Sequence, residues 1–206
     1  MSERGYRSFL QLPAIVAAAR RIADTEGLSA VSMRSLAEAL DCTPRALYRH
    51  VAGKDEVLEL LADAALGELP PPGVGPDWEE ALVWFFAAMR DLLVESPAVA
   101  EIVAQYPVAG PNFRAHGEAV VTVLLSAGFE PGDAVEAMVA IGQFTIGAAL
   151  PGTGQRLHEA YRALDQIDSR STLGQVRAHF VRAQAQAHFR TALRRMLGAY
   201  RPAIDM

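Results

Sequence analysis

The chain has 206 residues, 51% of them hydrophobic and 21% charged, with a formal net charge of −5. That length supports one substantial core, or a small domain joined to a medium one. It has no run approaching the roughly eighteen uninterrupted apolar residues of a membrane span, no long apolar stretch of the secretory kind in its opening residues, and one cysteine, Cys42, which excludes an intramolecular disulfide. We therefore expect a soluble cytoplasmic protein with no membrane partner, no metal and no cofactor.

The charge is unevenly spread. Residues 1–54 hold eight Lys/Arg against five Asp/Glu, a net of +3, and the rest of the chain holds 11 against 19, a net of −8. A basic head on an acidic body suits an anionic partner at one end only.

Helical periodicity runs through nearly the whole chain, with no sustained two-residue alternation, so the expected fold class is all-α. Pro13 suits the first turn of a helix that buries Ile15, Val16, Ala19, Ile22 and Ala23. Gly27 sits where a helix end favours positive φ, followed by Leu28 as its apolar contact. Ser32 is a candidate N-cap for a second helix through Leu36, Ala37 and Leu40. Thr43-Pro44 reads as a capping hydroxyl followed by proline at the first helical position, opening a short third helix to about Val51. Gly53 breaks it, and a fourth helix is expected over 54–69.

Prolines and glycines over Pro70-Pro-Pro-Gly-Val-Gly-Pro76 cannot continue a helix. They divide the expected organisation into 1–69, with 54–69 as a bridging helix, and 76–206. Further helical stretches are expected at about 77–95, 97–105, 112–127, 131–149 and 175–200. The segment 151–174, apart from a short helical pattern around Leu157–Leu164, reads as a mobile loop.

The second and third helices have the layout of a helix-turn-helix. Leu36, Ala37 and Leu40 would face Leu47 and Val51 across the angle, with Cys42 in the corner and Asp41 at a left-handed turn position that aspartate tolerates. Arg45, Ala46, Tyr48, Arg49 and His50 cannot all turn inward on so short a helix. Arginine can pair bidentately with guanine in the major groove, while tyrosine hydroxyls and lysines contact phosphate. The candidate DNA-contacting set is therefore Ser32, Arg34, Thr43, Arg45, Ala46, Tyr48, Arg49, His50 and Lys54.

Residues 13–66 resemble the N-terminal domain of the tetracycline-repressor (TetR) family. The matching strings are Glu26-Gly27-Leu28, Ser32-Met-Arg-Ser-Leu-Ala, and Leu47-Tyr48-Arg49-His50-Val51-Ala-Gly-Lys54-Asp-Glu-Val-Leu58. Gly128-Phe129, Ala140-Ile-Gly-Gln-Phe-Thr-Ile-Gly147 and Phe189-Arg-Thr-Ala-Leu-Arg-Arg-Met-Leu197 resemble the body of the same family. The resemblance implies Tyr48, His50 and Lys54 as phosphate contacts. It also implies a homodimer joined through a four-helix interface from 131–149 and 175–200, with heads roughly 34–36 Å apart, or a multiple, over a palindromic double-stranded operator. The stripe Phe180, Phe189, Leu193, Met196 and Tyr200 fits either an intramolecular core or that interface; the resemblance favours the interface, with Gly142 and Gly147 allowing close approach.

The resemblance further implies release from DNA when a small-molecule inducer enters the body. Candidate lining residues are Trp84, Phe85, Met89, Leu92, Tyr106, Phe113, His116, Met138, Gln143 and Phe144, an apolar set with a few polar groups. The founding repressors hold a magnesium–tetracycline chelate with an Asn, a His and a Glu, and the corresponding positions here carry Phe85, roughly Ile102, and Pro151. Magnesium wants oxygen ligands, so the expected inducer is larger, apolar and metal-free.

An enzyme is not expected. There is no Gly-x-Ser-x-Gly string, no phosphate-cradling glycine loop, and His116 and Glu118 point to different faces of their helix. The competing reading is a constitutive DNA-binding or architectural protein without an inducer; activation instead of repression depends on operator position.

Overall fold

The structure is a computed structural model, and it describes residues 10–75, 77–150, 159, 162, 167–182 and 186–200. Among these residues the regular structure is helical and contains no strand. The helices are α1 Leu12–Glu26, α2 Met33–Ala39, α3 Pro44–Leu47, α4 Lys54–Leu66, α5 Trp78–Glu95, α6 Pro97–Gln105, α7 Pro111–Ser126, α8 Pro131–Ala149, α9 Thr172–Arg182 and α10 Gln186–Tyr200.

Proline sets many of the helix starts. It occupies the first or second position of α1, α3, α6, α7 and α8, where its fixed φ suits the helix and its missing N–H costs no bond. The end of α7 is equally local in origin. Gly128 adopts φ 89°, its N–H donates to the Leu125 carbonyl at 3.0 Å, and the Phe129 N–H donates to the Leu124 carbonyl at 3.2 Å. That pair of bonds is the Schellman closure, and it delivers the Phe129 ring into the core, edge-on to Trp78 at 5.2 Å.

Several sequence expectations shift. Val16 is half-buried, and Ala18 completes the inner face of α1 instead. Helix α3 ends at Leu47, not Val51, because the chain tightens into turns: Arg49 N–H donates to Ala46 and His50 N–H to Leu47. Helix α4 ends at Leu66, not Leu69; Glu68 and Leu69 bond three residues back, and Pro70 bars its predecessor from helical backbone. The continuity of the expected helix 175–200 rests on 183–185, which lie outside the described residues. So does most of the 151–174 segment, although Thr172 already opens α9.

The buried apolar side chains form one continuous cluster from α1 to α10. It does not divide at the proline-rich segment, because α4 packs against α1 on one side and against α6 and α7 on the other. Helix α10 docks on α5 and α8 by burying Phe189, Leu193 and Leu197. Each such side chain contributes roughly 1.5–3 kcal/mol, so burial dominates over the exposed Arg194–Glu80 pair beside it. The stripe read as a dimer interface is thereby corrected: Phe189 and Leu193 face their own chain, because the face of α8 that receives Phe144 onto Phe189 belongs to the same subunit. Met196 and Tyr200 pack partly against the same core, and the Phe180 side chain lies outside what is described. Nor do Gly142 and Gly147 mark a close approach within the chain, since a Cβ on either meets nothing within 4 Å.

Candidate nucleic-acid interface and ligand cavity

Helices α2 and α3 meet through a turn in which Asp41 takes φ 49°. Leu36, Ala37, Leu47 and Val51 are buried between them, and Cys42 is half-buried against the same cluster. Ser32 caps α2 reciprocally. Its Oγ accepts from the Ser35 N–H at 3.0 Å, while the Ser32 N–H donates to Ser35 Oγ at 2.9 Å. Thr43 stands at the start of α3, but its hydroxyl makes no capping bond there. The reason is local: the Ala46 N–H that it would serve already donates to the Thr43 carbonyl at 2.9 Å.

Arg45, Tyr48, Arg49 and His50 are exposed on one side of α3 and its following turn, and Ala46 is half-buried. Arg45 and Arg49 have no ion-pair partner among the described residues, and Tyr48 is 55% exposed. Arg34 on α2 reaches Glu38 one turn on at 3.0 Å, with 87% of its side chain exposed; such a pair is worth little in water. Lys54 is half-buried at the first position of α4. A cation at the positive end of a helix is unfavourable by a few tenths of a kcal/mol unless an anion bridges them, and Asp55 and Glu56 offset it in the free protein.

In the body, a cavity of about 240 Å³ lies between α5, α7 and α8, with Leu66 of α4 at its edge. Phe85, Met89, Phe113, His116, Met138 and Gln143 line it, as do Leu66, Phe86, Val120 and Ile146, which the sequence did not single out. The other expected lining residues lie elsewhere. Trp84 points away and is 45% exposed. Phe144 stacks on Phe189 with ring centroids 5.1 Å apart and planes within 7°. Leu92, a turn beyond Met89 on α5, and Tyr106, just past the end of α6, pack partly against the core outside the cavity. The period of α5 explains the first: Trp84 and Phe85 are about 100° apart, so one faces out when the other faces in.

The cavity wall is tied to the bridging helix. The His116 Nε2–H donates to the Leu66 carbonyl at 2.9 Å, at the end of α4. One turn earlier, the buried Asp63 carboxylate accepts from the backbone N–H of Phe113 at 2.9 Å and Asn112 at 3.3 Å, and from Asn112 Nδ2 at 3.0 Å. Glu59 accepts from the Ala109 N–H at 3.0 Å. Helix α7 starts after Gly110, which has no side chain to cap it. The Asp63 carboxylate does so instead, at the positive end of the α7 dipole, while Glu59 holds the residue before the cap. Neither carboxylate was singled out in the sequence, since its partners are about fifty residues away.

Magnesium chemistry has no obvious place at the positions considered. Phe85 is buried in the cavity wall, Ile102 is buried on α6, and Pro151 lies outside the described residues. Among the described residues no group of three or more His, Cys, Asp or Glu is placed to hold a metal ion, and no helix is long and apolar enough to cross a membrane.

Residues 15–61 match the family model described as bacterial regulatory proteins of the tetR family, and residues 69–199 match the tetracyclin repressor-like C-terminal domain. An HTH-type transcriptional regulator of Saccharopolyspora erythraea is 35% identical over 78% of this chain and 66% of its own length. The HTH-type transcriptional repressor DrrR1 of Streptomyces coeruleorubidus is 32% identical over 71% of this chain and 55% of its own. The chain thus spans about two thirds or less of both relatives. Apo ActR from Streptomyces coelicolor superposes with a TM-score of 0.84 at 26% identity, covering 94% of this chain and 95% of ActR. ActR in complex with (S)-DNPA gives the same TM-score at 25% identity. The helix-turn-helix with its exposed arginines and the two matched domains together show that the chain belongs to the tetR family of bacterial regulatory proteins.

Proposed function

We propose that this regulator is a cytoplasmic homodimeric repressor that holds a palindromic operator and releases it when a small, largely apolar inducer enters the cavity between α5, α7 and α8. The observation that carries the proposal is the hydrogen bond from His116, in the cavity wall, to the Leu66 carbonyl at the end of α4, the helix that begins at Lys54 beside the DNA-facing residues. A ligand that displaces α7 has a direct purchase on the element that carries the head. For release, the ligand must prefer the arrangement with the heads out of register. The similarity to ActR, solved with (S)-DNPA bound, and to the repressor DrrR1 supports this reading.

On the DNA, Arg34, Thr43, Arg45 and Arg49 read base edges, Ser32 and Ala46 line the contact face, and Tyr48, His50 and Lys54 hold phosphates. The second subunit docks on the exposed apolar side chains Val135 and Val139 of α8 with Leu173 and Val176 of α9, all about 40–50% exposed in the single chain. The inducer is not a magnesium chelate, since the wall offers Phe85 where an oxygen or nitrogen ligand would be needed. A constitutive DNA-binding protein would have no use for the cavity. The test is release: anisotropy of a labelled operator duplex falls as an apolar aromatic inducer is added, and it stays constant in Gly117→Met, whose side chain projects into the cavity. Release that persists in Gly117→Met would place the effector site elsewhere.

A further inference from the structure

Two polar side chains line the apolar cavity among the described residues, and their situations differ. Gln143 is exposed, so water serves its amide. His116 is not: its Nδ1 is cut off from solvent and has no hydrogen-bond partner among the described residues. The other ring nitrogen is already committed. Nε2 lies 2.9 Å from the Leu66 carbonyl oxygen, and a carbonyl only accepts, so Nε2 carries the proton in the neutral ring. Nδ1 is then a bare lone pair, an acceptor with nothing to accept. The Phe85 ring, 5.2 Å from the imidazole and tilted 49° to it, packs against the imidazole and restricts its rotation. Native proteins leave few buried polar atoms unanswered, and each calls for an explanation.

We propose that His116 Nδ1 is the specificity-determining contact of the cavity, accepting a hydrogen bond from a neutral hydroxyl on an aromatic ligand. The inference rests on the reading of the cavity as the effector site and adds the ligand's chemistry to it. Phe85, Phe86 and Phe113 supply aromatic walls for a flat ring system. Those walls disfavour a charged ligand, because neither a carboxylate nor an ammonium would find a counter-charge among them. A lone pair cannot accept from an ether or a ketone, so the cavity discriminates between a hydroxyl and its O-methyl counterpart. Sites built to hydrogen-bond a substrate group reject the analogue that lacks it far more strongly than apolar pockets reject a change of size.

The probes are 2-naphthol and 2-methoxynaphthalene, titrated calorimetrically into the DNA-free full chain at pH 8, above the ordinary range of imidazole titration. The wild type binds 2-naphthol about 5- to 100-fold more tightly, the range expected for one buried hydrogen bond made or left unmade. In His116→Phe the preference for 2-naphthol over 2-methoxynaphthalene vanishes. That variant also gives up the bond to Leu66, so a second measurement uses the wild type alone. In protein labelled with ¹⁵N-histidine, the resonance of the unprotonated Nδ1 of His116 moves upfield with 2-naphthol and stays in place with 2-methoxynaphthalene. Equal affinities in the wild type, a preference that survives His116→Phe, or an unmoved Nδ1 resonance overturns the proposal and leaves the cavity a binding site. Binding of neither probe overturns both the proposal and the reading of the cavity on which it rests.

Discussion

Asp63 and Gly110 fit together so closely that no side chain has room between them: a Cβ on Gly110 would lie 2.2 Å from the Asp63 carboxyl carbon. The glycine lets the carboxylate of α4 reach the open N–H groups at the start of α7. Bridging helix and cavity wall are therefore joined by charge-assisted hydrogen bonds within one buried contact, and the body cannot move α7 without loading α4.

Gly110→Ala should lower unfolding stability by about 1–3 kcal/mol, since the new methyl forces Asp63 off its partners. In an Asp63→Ala background the same substitution should cost much less, because the methyl then has space. A double-mutant cycle by urea unfolding measures the difference; equal costs in both backgrounds would show that the two residues act independently.

Exposed contact residues should affect DNA and not folding. Tyr48→Ala and Lys54→Ala are expected to weaken binding to all duplexes alike, and Lys54→Ala should reduce the slope of log K against log salt by about 0.9. Arg45→Ala should instead relax preference at one base position, at a cost of roughly 1–3 kcal/mol on the best site. Binding titrations over a salt series on two unrelated sequences separate these behaviours.

A Cβ at Gly117, within α7 and on the cavity wall, meets nothing within 4 Å. Gly117→Ala should therefore stabilise the protein by about 0.5–1 kcal/mol through helix propensity. Thermal unfolding tests this directly, and a loss of stability would mean that α7 needs its glycine for packing.

Glu80 on α5 receives Arg194 of α10 at 2.7 and 3.0 Å, and that hydrogen bonding, with the guanidinium charge, holds its carboxyl below the ordinary 4.5. A lowered folded value means that the stabilisation is present above pH 4.5 and is lost as pH falls through the folded value below it. Glu80→Gln should thus be slightly less stable than the wild type near neutral pH, with the gap closing below pH 4.5. Both side chains are exposed, so salt should shrink the gap as well. Urea midpoints at two pH values and two salt concentrations check both trends.

Local chemistry made most of the fold legible. Pro13 and Pro44 at helix starts, Ser32 as a cap, and Asp41 at positive φ each act within a few residues, and each appears in the structure where its residue type implied. What depends on distant partners was hidden. An apolar stripe over Phe189 and Leu193 says that a face is buried, but not whether a second copy or the chain's own α5 and α8 bury it. Likewise Trp84 and Phe144 belong to an aromatic-rich body without belonging to the cavity, which is decided by helix rotation and by the stack on Phe189. The Asp63 contact with α7 gave no sequence signal at all, because a carboxylate on an amphipathic helix ordinarily reads as a solvated face.

The central claim, a sequence-specific dimer that binds DNA through α2 and α3, is tested most directly by selecting bound duplexes from a random pool at fixed salt. The protein should first be unfolded and refolded, so that no inducer accompanies it. The expected result is a two-fold symmetric sequence with half-sites centred about 10–10.5 base pairs apart, or a multiple of that spacing. No enriched sequence, with only weak binding that fades as salt rises, would contradict it.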